Sequence, residues 1–100
     1  MVYHIVMWNF KDEVKDEDKD QLKSEMAANL KGLVGKVPGL LTAEFVEHPI
    51  PSSTHAMALI TTFSKAEDIK AYATHPEHVK VADTYVRPYT KERACLDYEI

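Results

Sequence analysis

Residues 2 to 10 are apolar at nearly every position: Val2, His4, Val6, Trp8 and Phe10 share one parity, and Tyr3, Ile5 and Met7 the other. A strand sends alternate side chains to opposite faces, and one wet on one side would carry polar residues at every second position. The run therefore predicts a strand covered on both faces. Leu22, Met26, Leu30, Leu33, Val34 and Val37 then recur at helical spacing, within about 120° on a 3.6-residue wheel. Asp16 is the expected N-cap, with acids in the first turn where the helix dipole favours negative charge, and Pro38-Gly39 is the expected stop. Leu40 to His48 reads as a second strand, closed by Pro49-Ile50-Pro51 and a Ser-Ser-Thr loop, and His55 to Phe63 as a third. Ser64 is expected to cap a helix running to Thr74 that turns Ala66, Ile69 and Ala73 inward, with Tyr72 at the edge of the stripe. His75-Pro76 breaks that helix, and Pro76 restarts it because proline suits the first helical position. His78 then falls among Val79, Val81, Ala82, Tyr85 and Val86, while Glu77, Lys80, Asp83 and Arg87 take the opposite side. Arg87-Pro88 stops the helix. Ala94 to Ile100 supplies a last strand, with Leu96, Tyr98 and Ile100 on one face.

The order β-α-β-β-α-β is that of an α+β, ferredoxin-like domain, here a single domain over residues 1–100 with a four-stranded antiparallel sheet and its helices on one face. The apolar first strand decides what covers the other face. A large exposed apolar patch marks an interaction surface, and two such sheets packed about a two-fold axis would close it. A homodimer built as an α+β barrel is therefore expected, against the alternative that loops of one chain cover the sheet.

Composition narrows the function classes. Twelve Lys and Arg against sixteen Asp and Glu leave a net charge of -4, without the basic stripe of a nucleic-acid module. No apolar run approaches the roughly 18 residues of a membrane span, and the start shows no signal-peptide pattern, so a cytoplasmic protein with no membrane partner is expected. Cys95 is the sole cysteine, which excludes an internal disulfide and a thiolate zinc cluster. It is expected to be a small buried hydrophobe. The acid-rich stretch from Asp12 to Asp20 reads as a solvated loop and helix start, which disfavours tight packing into larger rings. Glycine-rich phosphate loops, a nucleophile elbow and a dinucleotide fingerprint are all missing, and no cofactor is expected.

His78 carries the sharpest chemistry. A polar group amid an apolar helical face needs a partner or a purpose, and an imidazole titrating near pH 6.5 can take a proton from an activated carbon. It is either such a base or a structural histidine bonded to backbone at the helix junction. Tyr72 precedes it by six residues across the proline break, so the two converge only if the kink brings them together. Its hydroxyl would then serve a carbonyl or enolate oxygen; otherwise it is a packing residue with a wet tip. His4 is in phase with Val6 and Trp8, the expected pocket lining, and either faces a cavity as an orienting partner or packs into the sheet. His75 and His78 are three apart, but His75 lies outside the regular helix and no Glu stands between them as in a zinc-binding helix. No metal is expected, and His75 reads as a cap. Asp83 and Arg87 read as a surface ion pair.

His4-Ile5-Val6-Met7-Trp8-Asn9-Phe10-Lys11, Val37-Pro38-Gly39, the block Ala71-Tyr72-Ala73-Thr74-His75-Pro76-Glu77-His78-Val79 followed by Arg87-Pro88, and the closing Leu96-Asp97-Tyr98-Glu99 together resemble the stress-responsive A/B barrel domain family. The resemblance spans the whole chain in order, and its most specific part is His-Pro-x-His combined with the first-strand histidine. It implies a dimeric α+β barrel. The family is functionally mixed: it holds stress-associated proteins, a heat-stable oligomeric ring and a plant branch of olivetolic acid cyclase type that closes a linear polyketide by aldol condensation. In that branch the second histidine of the block and a nearby tyrosine carry the chemistry, with a first-strand histidine beside them. The matching positions here are His78, Tyr72 and His4. Met7, Trp8 and Asn9 depart from the more aliphatic and basic residues usual in that strand, and Trp8 would narrow a pocket it lined. The resulting expectation is a protein that binds a small, partly apolar carbonyl compound, with cofactor-free cyclase, lyase or isomerase chemistry. The alternative is a non-catalytic stress-response, ligand-binding or assembly protein in which the histidines are structural.

Overall fold

The computed structural model describes residues 1–100. Its elements run β1 (Val2–Phe10), α1 (Asp16–Lys31), β2 (Leu40–Val46), β3 (Met57–Phe63), α2 (Ala66–Thr74), α3 (Pro76–Val81) with a π-helical continuation over Ala82–Val86, and β4 (Thr90–Glu99). The strands form one antiparallel sheet in the order β2-β3-β1-β4. This is the expected ferredoxin-like βαββαβ arrangement, with the helices on one face.

Strand parity decides the core. Val2, His4, Val6, Trp8 and Phe10 of β1 are buried beneath the helices, together with Met57, Leu59 and Phe63 of β3. Met26 and Leu30 of α1 and Leu33 and Val37 beyond it close over them, all at most 3% exposed. Tyr3, Ile5, Met7 and Asn9, on the opposite face, are only partly buried. The second face of β1 is thus only partly covered by its own chain; the loop before β3 reaches its far end, where the Asn9 side-chain amide donates to the Thr54 carbonyl at 3.2 Å.

Several boundaries differ from the sequence expectation, for identifiable reasons. Helix α1 stops at Lys31 rather than at Val37. Gly32 follows, and Gly35 takes a φ of 91°, a left-handed conformation that glycine alone adopts freely. The turn so formed still keeps Leu33 and Val37 inward, since the Val37 N–H donates to the Leu33 carbonyl at 3.1 Å, but it turns Val34 out to 40% exposure. Asp16 is the first helical residue and Lys15 the N-cap; Lys65, not Ser64, holds that place in α2, and neither makes a side-chain cap bond. In α2 Ile69 packs against the core as expected, with Ala66 and Ala73 exposed, but the residue buried deepest is Tyr72, at 2% exposure. Its ring reaches further into the core than an alanine methyl can, and it packs edge-on against Phe63 with centroids 5.3 Å apart. Strand β2 ends at Val46 and β3 begins at Met57, both shorter than expected, whereas β4 begins four residues early, at Thr90. The gain is made through an irregularity between Met7 and Asn9 of β1, opposite which Glu92 has a φ of 56°. Cys95 is exposed, contrary to expectation, because β4 is an edge strand. No helix is long and apolar enough to cross a membrane.

Candidate functional site

The junction of α2 and α3 builds the site. Proline cannot continue α2, so the chain leaves the helix at His75 in an extended conformation and Pro76 opens α3. His75 caps the new helix as expected: its Nδ1 accepts from the Glu77 N–H at 3.1 Å. The resulting kink brings Tyr72 and His78 together, with ring centroids 4.2 Å apart. From the sheet, His4 approaches Tyr72 edge-on at 6.2 Å, and Phe63 backs both rings. Between sheet and helices lies a cavity of about 230 Å³, whose wall includes His4, Val6, Trp8, Tyr72 and His78. All five residues singled out in the sequence therefore meet at one space, and Trp8 lines it without filling it.

The hydrogen bonds fix what each group can do. A carbonyl only accepts, so the contact between His78 Nδ1 and the Ala73 carbonyl at 3.2 Å places the ring proton on Nδ1. Nε2 then carries the lone pair and makes no bond within the protein. Burial is the main force holding the His78 pKa below its ordinary value of 6.5, with the positive charges of Arg87 and Arg93 and the proximity of His4 adding to it, and only the Ala73 bond opposing it. The neutral, proton-accepting form is favoured at pH 7. Tyr72 is the complement. Burial pushes its phenol up to about 12, so it stays protonated, and its hydroxyl is buried with no hydrogen-bond partner. His4 is held at both ends of the residue: Thr61 Oγ1 donates to its carbonyl at 2.9 Å, and its Nδ1 pairs with the Asp97 carboxylate across the strand pair.

Three participants escape sequence reasoning. Asp97 is the cross-strand neighbour of His4. Arg93 and Arg87 both reach the cavity wall, although Arg87 also forms the expected pair with Asp83. A signal exists in β4, where Arg93, Cys95 and Asp97 alternate with Ala94, Leu96 and Tyr98; the polar parity faces the helix side, in step with His4 and Val6. His4 Nδ1, Cys95 Sγ and an Asp97 oxygen lie within 4.8 Å of one another, so these are the residues best placed to hold a metal ion, with three donors and no fourth.

The model for the stress responsive A/B barrel domain matches residues 2–100. A stress-response A/B barrel domain-containing protein of Arabidopsis thaliana is 30% identical over 99 residues, which are 98% of this chain but 36% of that protein. The chain thus spans just over a third of that relative's length. Among solved structures, a dimeric protein of unknown function and ferredoxin-like fold from Bacteroides fragilis is 32% identical, with a TM-score of 0.89 over 99% of this chain and 95% of that one. The hydroxynitrile lyase of Passiflora edulis is 20% identical, with a TM-score of 0.72 over 99% and 92% of the two chains, a likeness of fold.

Proposed function

The chain belongs to the stress-responsive A/B barrel domain family, and on that premise we propose that it is a cytoplasmic homodimer that binds a small, partly apolar carbonyl compound in the cavity beside His78 and acts on it by acid-base chemistry without a cofactor. The observation that carries this reading is the Tyr72 hydroxyl, which is buried and unpartnered at a cavity it shares with two histidines. An orphaned buried hydroxyl costs roughly 1–3 kcal/mol, and a ligand oxygen at that place would relieve the cost. With the carbonyl oxygen on Tyr72, His78 Nε2 takes a proton from the adjacent carbon. The enolate charge then develops against the Tyr72 O–H, the kind of fixed donor that stabilises an oxyanion. The carbanion equivalent attacks a second carbonyl, as in aldol closure of the olivetolic acid cyclase type, or is reprotonated elsewhere, as in an isomerase, and the His78 proton goes to the product. Asp97 keeps His4 oriented at the cavity wall. That the same fold serves a hydroxynitrile lyase in Passiflora edulis is in keeping with such use of the architecture.

The bond from His78 to the Ala73 carbonyl favours a second reading, in which the ring only ties α3 to α2 and the cavity binds without turnover. Exchange of the α-protons of phenylacetone in D2O, followed by NMR, separates the two. The catalytic reading expects exchange faster than in buffer and slowed about 10²-fold in His78→Ala, with the melting temperature nearly unchanged. Buffer-level exchange by the native protein, or a His78→Ala variant that loses stability and keeps its exchange rate, would overturn it.

A further inference from the structure

The protein is acidic overall, with a net charge of -4, yet the cavity is lined by two arginines and two histidines and by no Asp or Glu. An acidic chain does not produce such a wall by average composition. Arg87 shares its charge with Asp83 on the outer side of α3's continuation. Arg93 has no carboxylate partner. It projects from β4 on the parity that faces the helices, two residues before Cys95. Apart from Tyr72, the remainder of the wall is apolar, and Trp8, Leu30, Leu59 and Val86 are among its buried members. The cavity therefore joins a buried apolar part and a tyrosine–histidine pair to two exposed arginines, Arg87 paired with Asp83 and Arg93 without a carboxylate partner. Both guanidiniums stand close enough to His78 to disfavour a proton on it, so a negative charge bound between them would relieve that repulsion.

The geometry points to an anionic ligand: an organic acid with a carbonyl group and an apolar or aromatic tail, its carboxylate held by Arg93 with Arg87 beside it and its tail under Trp8. Guanidinium is the side chain best matched to a carboxylate, offering two parallel N–H donors at once. Binding in a partly enclosed cavity, beside its low-dielectric apolar part, strengthens the pair beyond an ordinary surface contact. The class of ligand so defined rests on the reading that the cavity is a binding site at all.

Calorimetric titration with 4-oxo-4-phenylbutanoate and with its neutral primary amide tests the charge directly. The native protein should bind the acid about tenfold more tightly than the amide, with the preference shrinking as salt rises. Arg93→Gln should bring the acid's affinity down to the amide's, and Arg93→Lys should restore part of the difference. Melting curves of each variant confirm that it is folded. Equal affinity of the native protein for acid and amide overturns the anionic class while leaving the cavity as a binding site. A preference that survives in both Arg93→Gln and Arg87→Gln overturns its assignment to these arginines. Binding of neither probe at millimolar concentration overturns both the class and the site.

Discussion

At Tyr72 a single oxygen separates stability from function. Its hydroxyl is buried without a partner, so Tyr72→Phe removes a desolvation cost while keeping the ring against Phe63 and His78. Urea unfolding should show the variant as stable as the native protein or more so, by about 1 kcal/mol, while α-proton exchange falls roughly 10²-fold. A less stable variant with unaltered exchange would make the tyrosine a packing residue. His78 gives the matching pH prediction. Its pKa lies below 6.5 in the folded protein, so as pH falls through 6.5 the unfolded chain takes up a proton that the folded chain resists. Stability should therefore decline below about pH 6.5 and level off once the folded-state pKa is passed. In an NMR titration of the ring, its midpoint should lie below 6.5 and move upward in Arg93→Gln, which removes a repelling charge. His78 was legible in the sequence because a polar group amid apolar periodicity is conspicuous, whereas Tyr72 and His4 were picked out chiefly through the family resemblance. The arginines were not, because a charged residue on a half-polar strand or helix looks like any solvated side chain until the register of β4 is known.

Among the elements, the most exacting junction is the one that returns the chain from α1 to the sheet. Gly39 has a φ of 87°, and a Cβ built there would stand 2.4 Å from the Asp68 side chain of α2. Gly39→Ala therefore meets both backbone strain and a steric conflict, and chemical denaturation should show a loss of about 1–3 kcal/mol. Gly35→Ala offers a control, since it shares the left-handed backbone but finds open space around its Cβ; it should cost less. Helix types and order could be read from periodicity and from proline and glycine punctuation, whereas the ends could not. The true stop of α1 at Lys31 is hidden because Leu33 and Val37 stay buried in a turn, so burial continues the helical pattern after the helix has ended. At the α2–α3 junction, loss of the His75 acceptor in His75→Ala should cost about 0.5–2 kcal/mol, the usual worth of an N-cap. The variant should also weaken ligand binding, since that junction sets the approach of His78 to Tyr72.

For the whole molecule, the outer face of the sheet is the feature one chain leaves unfinished. Register lines it up in rows: Leu96, Ile5, Ile60 and Glu44 in one, Ala94, Met7, Ala58 and Val46 in the next, and Tyr98, Tyr3, Thr62 and Thr42 in the third, apolar except toward β2. Tyr3 and Tyr98 stack with centroids 5.0 Å apart, which makes that row flat. Leu96 is 61% exposed in the single chain; it lies in the middle row of this field, on the edge strand β4. A second copy turned about a two-fold axis would bring the same field against itself, and the Bacteroides fragilis protein, at a TM-score of 0.89, is dimeric. Leu96→Glu puts a charge in the middle row of that field in each copy, while leaving the helix-side core untouched. Sedimentation should show the native protein at twice its chain mass of 11.4 kDa and the variant at the chain mass, still folded by circular dichroism. A native protein that sediments as a single chain would overturn the dimer, and a variant that remains a dimer would place the contact elsewhere. The cavity lies on the opposite side of the sheet from these rows, so ligand binding by the Leu96→Glu monomer should fall only as far as the loss of the partner loosens β4, the strand that carries both Arg93 and Asp97.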